Sequence, residues 1–203
     1  MDTLTTPDIK ISKKFENGIY FSCKMCGACC RGFDEGEVYV YEADIIRLTK
    51  FLNLNKFSLK KFARKYLKLV DNTFFWREPG ENRGKKYKFK SLGFKFTGDD
   101  EHCEFLDEEN KCTVHKARPF QCVAFPVGWN MLINNISNFK DYSKKCPALR
   151  NSLENEGDFY SRDDIIKLAT QEYEMEKEFF LKMKKDNFDI FKVYKFLPKD
   201  ITC

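Results

Sequence analysis

The stretch FSCKMCGACCRG, residues 21–32, carries four cysteines in eight consecutive positions: Cys23, Cys26, Cys29 and Cys30. The C-x2-C-x2-C spacing of the first three lets three thiolates converge from one tight turn, and CKMCG has the form of a metal knuckle. Gly27 allows the backbone to turn so that amide N–H groups point toward sulfur, which stabilises bound thiolate. Cys29 and Cys30 are neighbours and diverge, so they suit different sites, or different irons of one cluster, better than one mononuclear site. Four cysteines far along the chain, Cys103, Cys112, Cys122 and Cys146, supply the missing ligands. A lone buried cysteine behaves as a small apolar residue. Eight of them, clustered and flanked by turn residues, fit ligation instead. Cys203, the last residue, reads as an uninvolved thiol.

The totals agree with this picture. A chain of 203 residues forms one domain, or one domain with an extension, and can bury its own core. Its apolar stretches are too short to span a membrane, and MDTLTTPDIKISKKF lacks the basic start and apolar run of a secretory signal. The expected location is therefore cytoplasmic. There, a reducing compartment and an odd count of nine cysteines both disfavour a disulfide framework. The formal net charge is +5 with neutral thiols. Eight thiolates holding two divalent ions bring that to about +1, so the basic balance is a weak argument for nucleic acid.

An α+β fold is expected: a small metal-stapled β-rich centre with hairpins, N-terminal helices and a long C-terminal helix. Residues 1–17 form a polar lead-in, 18–156 the cysteine-cluster domain and 157–203 a helical extension packed on it. NGIYFSC reads as a short strand delivering Cys23. A β-type run, Val38 to Tyr41, leads into a helix from about residue 43, with Glu42 and Asp44 in its first turn where negative charge suits the dipole. A second helix, from Ser58 as N-cap to Val70, places Leu59, Phe62, Ala63, Tyr66 and Leu67 on one face. NTFFWRE and KKYKFKSLGFKF flank the turn-forming PGENRG and form a hairpin, with a bulge near Gly93 where the apolar alternation shifts register. CEFLDEENKCTVH reads as a tighter hairpin with Cys103 and Cys112 at its base. The closing helix starts at Ser161, with Asp164 completing a capping box, and runs to about Lys185.

FSCKMCGACC, VYVYEADIIRL, CEFLDEENKCTVHKARPFQCVAFP and KCPAL together resemble the YkgJ-like cysteine-cluster proteins, also called the CxxCxxCC zinc- or iron-chelating domain. The resemblance covers roughly residues 18–150 and includes all eight cysteine positions, Arg118-Pro119 and Pro126. His115 departs from it, since relatives often carry Tyr there. The cluster region is also similar to one in flagellin lysine methylases. This chain has no glycine-rich nucleotide loop, so methyl transfer is not supported.

Zinc and iron–sulfur centres both accept four thiolates, and the dense C-x2-C-x2-C-C run tips the balance toward iron–sulfur, of the 4Fe-4S type. One site would take Cys23, Cys26, one of the adjacent pair and Cys146. The other would take Cys103, Cys112, Cys122 and the remaining neighbour. No catalytic residue is assigned. His115 and His102 read as partly exposed, hydrogen-bonded residues rather than ligands. Arg118 reads as a salt-bridge partner of Glu42 or Asp44, or as a donor to a ligand thiolate. RGKKYKFK reads as a hairpin with a solvated lysine face rather than a nucleic-acid surface, and Phe74, Phe75 and Trp76 as core. The expected function is metal binding through eight cysteines, with an electron-transfer or redox role linked to modification of a protein partner. The alternative is a zinc-stapled interaction module without catalysis. A protein partner is expected, and nucleic acid is not.

Overall fold

The computed structural model describes residues 9–31, 36–55, 58–133 and 136–201. Cys203 lies outside them, as do residues 1–8 of the lead-in. Within the remainder of the lead-in, Phe15 is buried and packs on Phe139, with ring centroids 4.9 Å apart.

The most regular alternation in the chain makes its longest ladder. β2 (Leu67–Trp76) pairs antiparallel with β3 (Lys85–Phe94), from Leu67 opposite Phe94 to Trp76 opposite Lys85. Phe74 and Trp76 turn inward while Phe75 between them is 62% exposed, so period-2 geometry makes only two of these three aromatics core. Lys86 and Lys88 are exposed and alternate with inward Tyr87 and Phe89, giving the solvated lysine face. The ladder is one-to-one throughout and holds no bulge at Gly93. The change in alternation there has another cause: β3 is buried on both faces at its end. Tyr39 bridges to Gly93, and a Cβ on Gly93 would stand 2.9 Å from Val70 Cγ1. Val40 N–H donates to Leu92 O and Phe94 N–H to Val38 O, so the Val38–Tyr41 run lies against the hairpin as a bridge.

The preceding helices are α1 (Glu42–Phe51) and α2 (Leu59–Tyr66). The second stops four residues earlier than its apolar spacing suggests. Leu67 to Val70 also satisfy strand spacing, and pairing with β3 takes them into the ladder. Ser58 makes no side-chain cap; its N–H and hydroxyl instead donate to Asn55 Oδ1. Phe62 and Ala63 of α2 are buried, which places its apolar face on the core.

Short strands complete the β structure. β1 (Ile19–Tyr20) pairs with β6 (Phe159–Tyr160), and β4 (Phe96–Thr97) with β5 (His102–Cys103). The Cys103–Cys112 segment closes as a narrow loop, with Thr113 N–H donating to Phe105 O and a bridge between Leu106 and Cys112. Four helices follow where the sequence offered no assignment: α3 (Phe120–Ala124), α4 (Asn130–Ile133), α5 (Ile136–Lys145) and α6 (Pro147–Leu153). The long α7 (Arg162–Lys185) has the expected capping box: Ser161 Oγ accepts from Asp164 N–H at 3.2 Å and Asp164 Oδ2 accepts from Ser161 N–H at 2.8 Å. A short α8 (Ile190–Val193) is the last helix among the described residues, and Tyr194, Leu197 and Ile201 beyond it are buried. The expected α+β class, with its long C-terminal helix, is what the chain adopts.

Two apolar cores result. One gathers the hairpin, α1, α2, α7 and the C-terminal segment around Phe180, whose ring packs on those of Phe74, Trp76, Tyr87, Phe89 and Phe188. The other gathers Phe15, Phe21, Phe125, Phe139, Leu149 and Ile165. Among the described residues no helix is long and apolar enough to cross a membrane.

Candidate metal centre

The two cores meet at the cysteines. Cys30, Cys103 and Cys112 pack with the hairpin core, whereas Cys29 and Cys146 pack with the other. The adjacent pair Cys29–Cys30 packs against both cores, one residue with each, while the two thiols hydrogen-bond to one another. All eight expected ligands, Cys23, Cys26, Cys29, Cys30, Cys103, Cys112, Cys122 and Cys146, line a single cavity of about 70 Å³ there. Cys23 and Cys26 are exposed, while Cys103 and Cys146 are buried.

Local structure explains how each thiol arrives. Cys29 and Cys30 sit on a 3-10 turn, Ala28–Arg31, entered through Gly27 at φ +74°. Cys122 is carried by α3. Cys146 is the N-cap of α6, with Pro147 at the first helical position, where its missing N–H costs nothing. Backbone amides are aimed at sulfur in a repeated pattern. Met25 N–H donates to Cys23 Sγ at 3.4 Å, Phe105 to Cys103, Val114 to Cys112, and Ala148 and Leu149 to Cys146. Such N–H···S bonds favour thiolate, and they fit a metal-thiolate site.

The electrostatics divide the thiols. Hydrogen bonding from Cys30, aided by the Arg118 guanidinium, draws Cys112 down to about 7 and lowers Cys29 as well. Its hydrogen bonds to Cys112 and Cys29 hold the Cys30 proton, raising that group. Burial pushes Cys103 and Cys146 up to about 11 and raises Cys122. Part of the set is thus primed as thiolate, and the buried remainder would deprotonate only against a cation. Among the described residues no three His, Cys, Asp or Glu side chains converge on a single point as ligands of one ion do. The thiols surround a space instead.

Arg118 lines this cavity but forms neither expected ion pair. Its guanidinium contacts His115 Nε2, Asp44 pairs with Arg47 at 2.6 Å, and Glu42 pairs with Lys182 at 2.6 Å. Burial and the Arg118 charge lower the His115 pKa, which suits a neutral imidazole accepting from Arg118. His102 lies apart, its Nδ1 2.6 Å from Asp100 Oδ1.

Three positioning groups escaped sequence reasoning. Arg31 ties the cysteine turn to the loop carrying Cys103 and Cys112, through Asp100 at 3.0 Å and Asn110 Oδ1 at 2.5 Å. Asp44, fully buried, accepts from Phe120 N–H at 2.9 Å, and Arg47 donates to Arg118 O at 2.8 Å, fixing the approach to α3. Ser22 and Asp158 exchange hydrogen bonds of 2.7 and 3.0 Å beside Cys23. Arg31, a cation directly after the cysteine run, and Asp44, an acid in the first turn of α1, left sequence signals, neither of which pointed to these partners.

Fold and cavity together define an α+β thiol-cluster protein. The chain belongs to the CxxCxxCC family: residues 22–147 match the family model described as "Putative zinc- or iron-chelating domain". The match agrees with the resemblance carried by the cysteine spacing, and it supports zinc or iron binding by this domain. No solved structure matches the chain.

Proposed function

We propose that the chain holds a polynuclear metal–thiolate centre between its two cores, with iron–sulfur as the leading form, and that it serves electron transfer or redox chemistry on a protein partner in the cytoplasm. The observation that carries this reading is the single cavity lined by all eight cysteines. Cys29 and Cys146 would serve one side and Cys30, Cys103 and Cys112 the other, following the division of the cores, with Cys23 and Cys26 joining the first and Cys122 the second by chain proximity. The repeated N–H···S bonds, the Arg118 charge and the burial of Cys103 and Cys146 are the features that tune a reduction potential. A bound cluster would supply one-electron transfer.

Zinc is the second reading, because thiols drawn from both cores would staple them together with any thiophilic metal. Metal and acid-labile sulfide analysis of protein purified without oxygen separates the two. Iron and sulfide in comparable amounts, with a visible band that bleaches on dithionite, support the redox reading. Zinc without sulfide or colour refutes it and leaves a stapled module, which a chelator should then unfold.

A further inference from the structure

A second cavity, of about 480 Å³, lies on the far side of α3. Gln121 lines it, while its neighbour Cys122 lines the cysteine cavity. Its volume falls within the range of small-molecule pockets. Its walls carry Tyr39, Tyr41 and Trp129, together with Glu172 and Glu176 of α7. The two carboxylates are four residues apart and so share one face of the helix.

Nothing in the described protein neutralises them. The nearby Lys177 pairs with Glu174 at 3.0 Å. Burial, then the charge of Glu176, pushes Glu172 up to about 8, and burial raises Glu176 too. The Tyr41 hydroxyl is buried in the same wall and, among the described residues, meets no partner at full hydrogen-bonding geometry; it faces Glu176, whose charge it eases. Two half-buried carboxylates and a buried hydroxyl thus line one roomy aromatic chamber. In the empty chamber Glu172 keeps its proton at neutral pH; an entering cation would favour the ionised form of both acids, which an anion or a neutral ligand would not. A bare metal ion would leave most of the volume and the rings unused, whereas an alkylated ammonium would gain from both carboxylates and rings.

We propose that this chamber binds a small organic cation of the alkylammonium class, held by Glu172 and Glu176 among Tyr39, Tyr41 and Trp129. The site is independent of which metal the cysteines hold.

The test titrates the full-length, metal-containing protein with choline and with 3,3-dimethylbutan-1-ol, its neutral isostere, by calorimetry and tryptophan fluorescence. Saturable choline binding at or below about 1 mM is expected, with the isostere at least roughly tenfold weaker. A Glu172→Gln/Glu176→Gln variant should lose at least about tenfold in choline affinity while melting no lower than the wild type. Equal binding of choline and its isostere would overturn the proposal, as would no saturation by choline up to about 10 mM. Unchanged choline affinity in the double variant would overturn it as well. The isostere comparison needs no variant, so the proposal stays testable if the double substitution disturbs folding.

Discussion

Replacing Asp44 by alanine tests how the metal-bearing segment is held. The Asp44 carboxylate is fully buried, pairs with Arg47 at 2.6 Å and accepts from Tyr41 N–H at 3.1 Å and Phe120 N–H at 2.9 Å. Alanine leaves two backbone donors without an acceptor, each costing about 1–3 kcal/mol, and breaks an ion pair whose loss costs about 3–5 kcal/mol when both partners are buried. Arg47 is 40% exposed and can turn to water, which moves the total to about 3 kcal/mol. That is a large share of the 5–15 kcal/mol typical of a domain. Urea unfolding of the wild type and variant should give this difference as a lower midpoint at constant slope. Asp44→Asn keeps one acceptor oxygen and should lose less. A loss below about 1 kcal/mol for alanine would refute the view that this carboxylate anchors the approach to α3.

Three further outcomes follow from the packing and electrostatics. Glu172 has its folded pKa raised to about 8 from 4.5, so its protonated form is favoured in the native state, and stability falls as pH rises between those values. Glu172→Gln should match the wild type at pH 4 and exceed it at pH 9 by about 2 kcal/mol, after allowance for solvent at the cavity mouth; parallel melting curves across pH would contradict this. Phe180→Ala empties the centre of the aromatic core and should cost about 3–5 kcal/mol by denaturant titration; a cost under about 1 kcal/mol would mean that core is loosely packed. Gly27→Ala places a Cβ 2.9 Å from Arg31 Nη1 at a φ of +74°, so bound metal per chain should fall. Full metal occupancy in that variant would show that the turn tolerates a side chain.

Legibility in the sequence followed the range of the interactions. The Ser161–Asp164 box and the β2–β3 alternation are local, and both were readable. The cysteine set was readable because thiol chemistry is rare and its spacing distinctive, although the cavity uniting all eight belongs to the tertiary fold. The apolar run FQCVAFP suits strand or helix equally, and α3 to α6 are short helices stabilised by mutual burial, so pattern alone could not assign them. Leu67 to Val70 fit both periods, and only pairing with β3 decides between them. Asp44 looked like a helix-dipole acid. Its decisive hydrogen bond reaches Phe120, which no local pattern can reveal.

We propose that all eight cysteines share one metal centre. X-ray absorption at the edge of the bound metal, on full-length protein purified without oxygen, tests it most directly. The expected result is a first shell of sulfur at about 2.3 Å and a second metal within about 4 Å. A shell containing nitrogen or oxygen ligands, or a metal with no near metal neighbour, would contradict it.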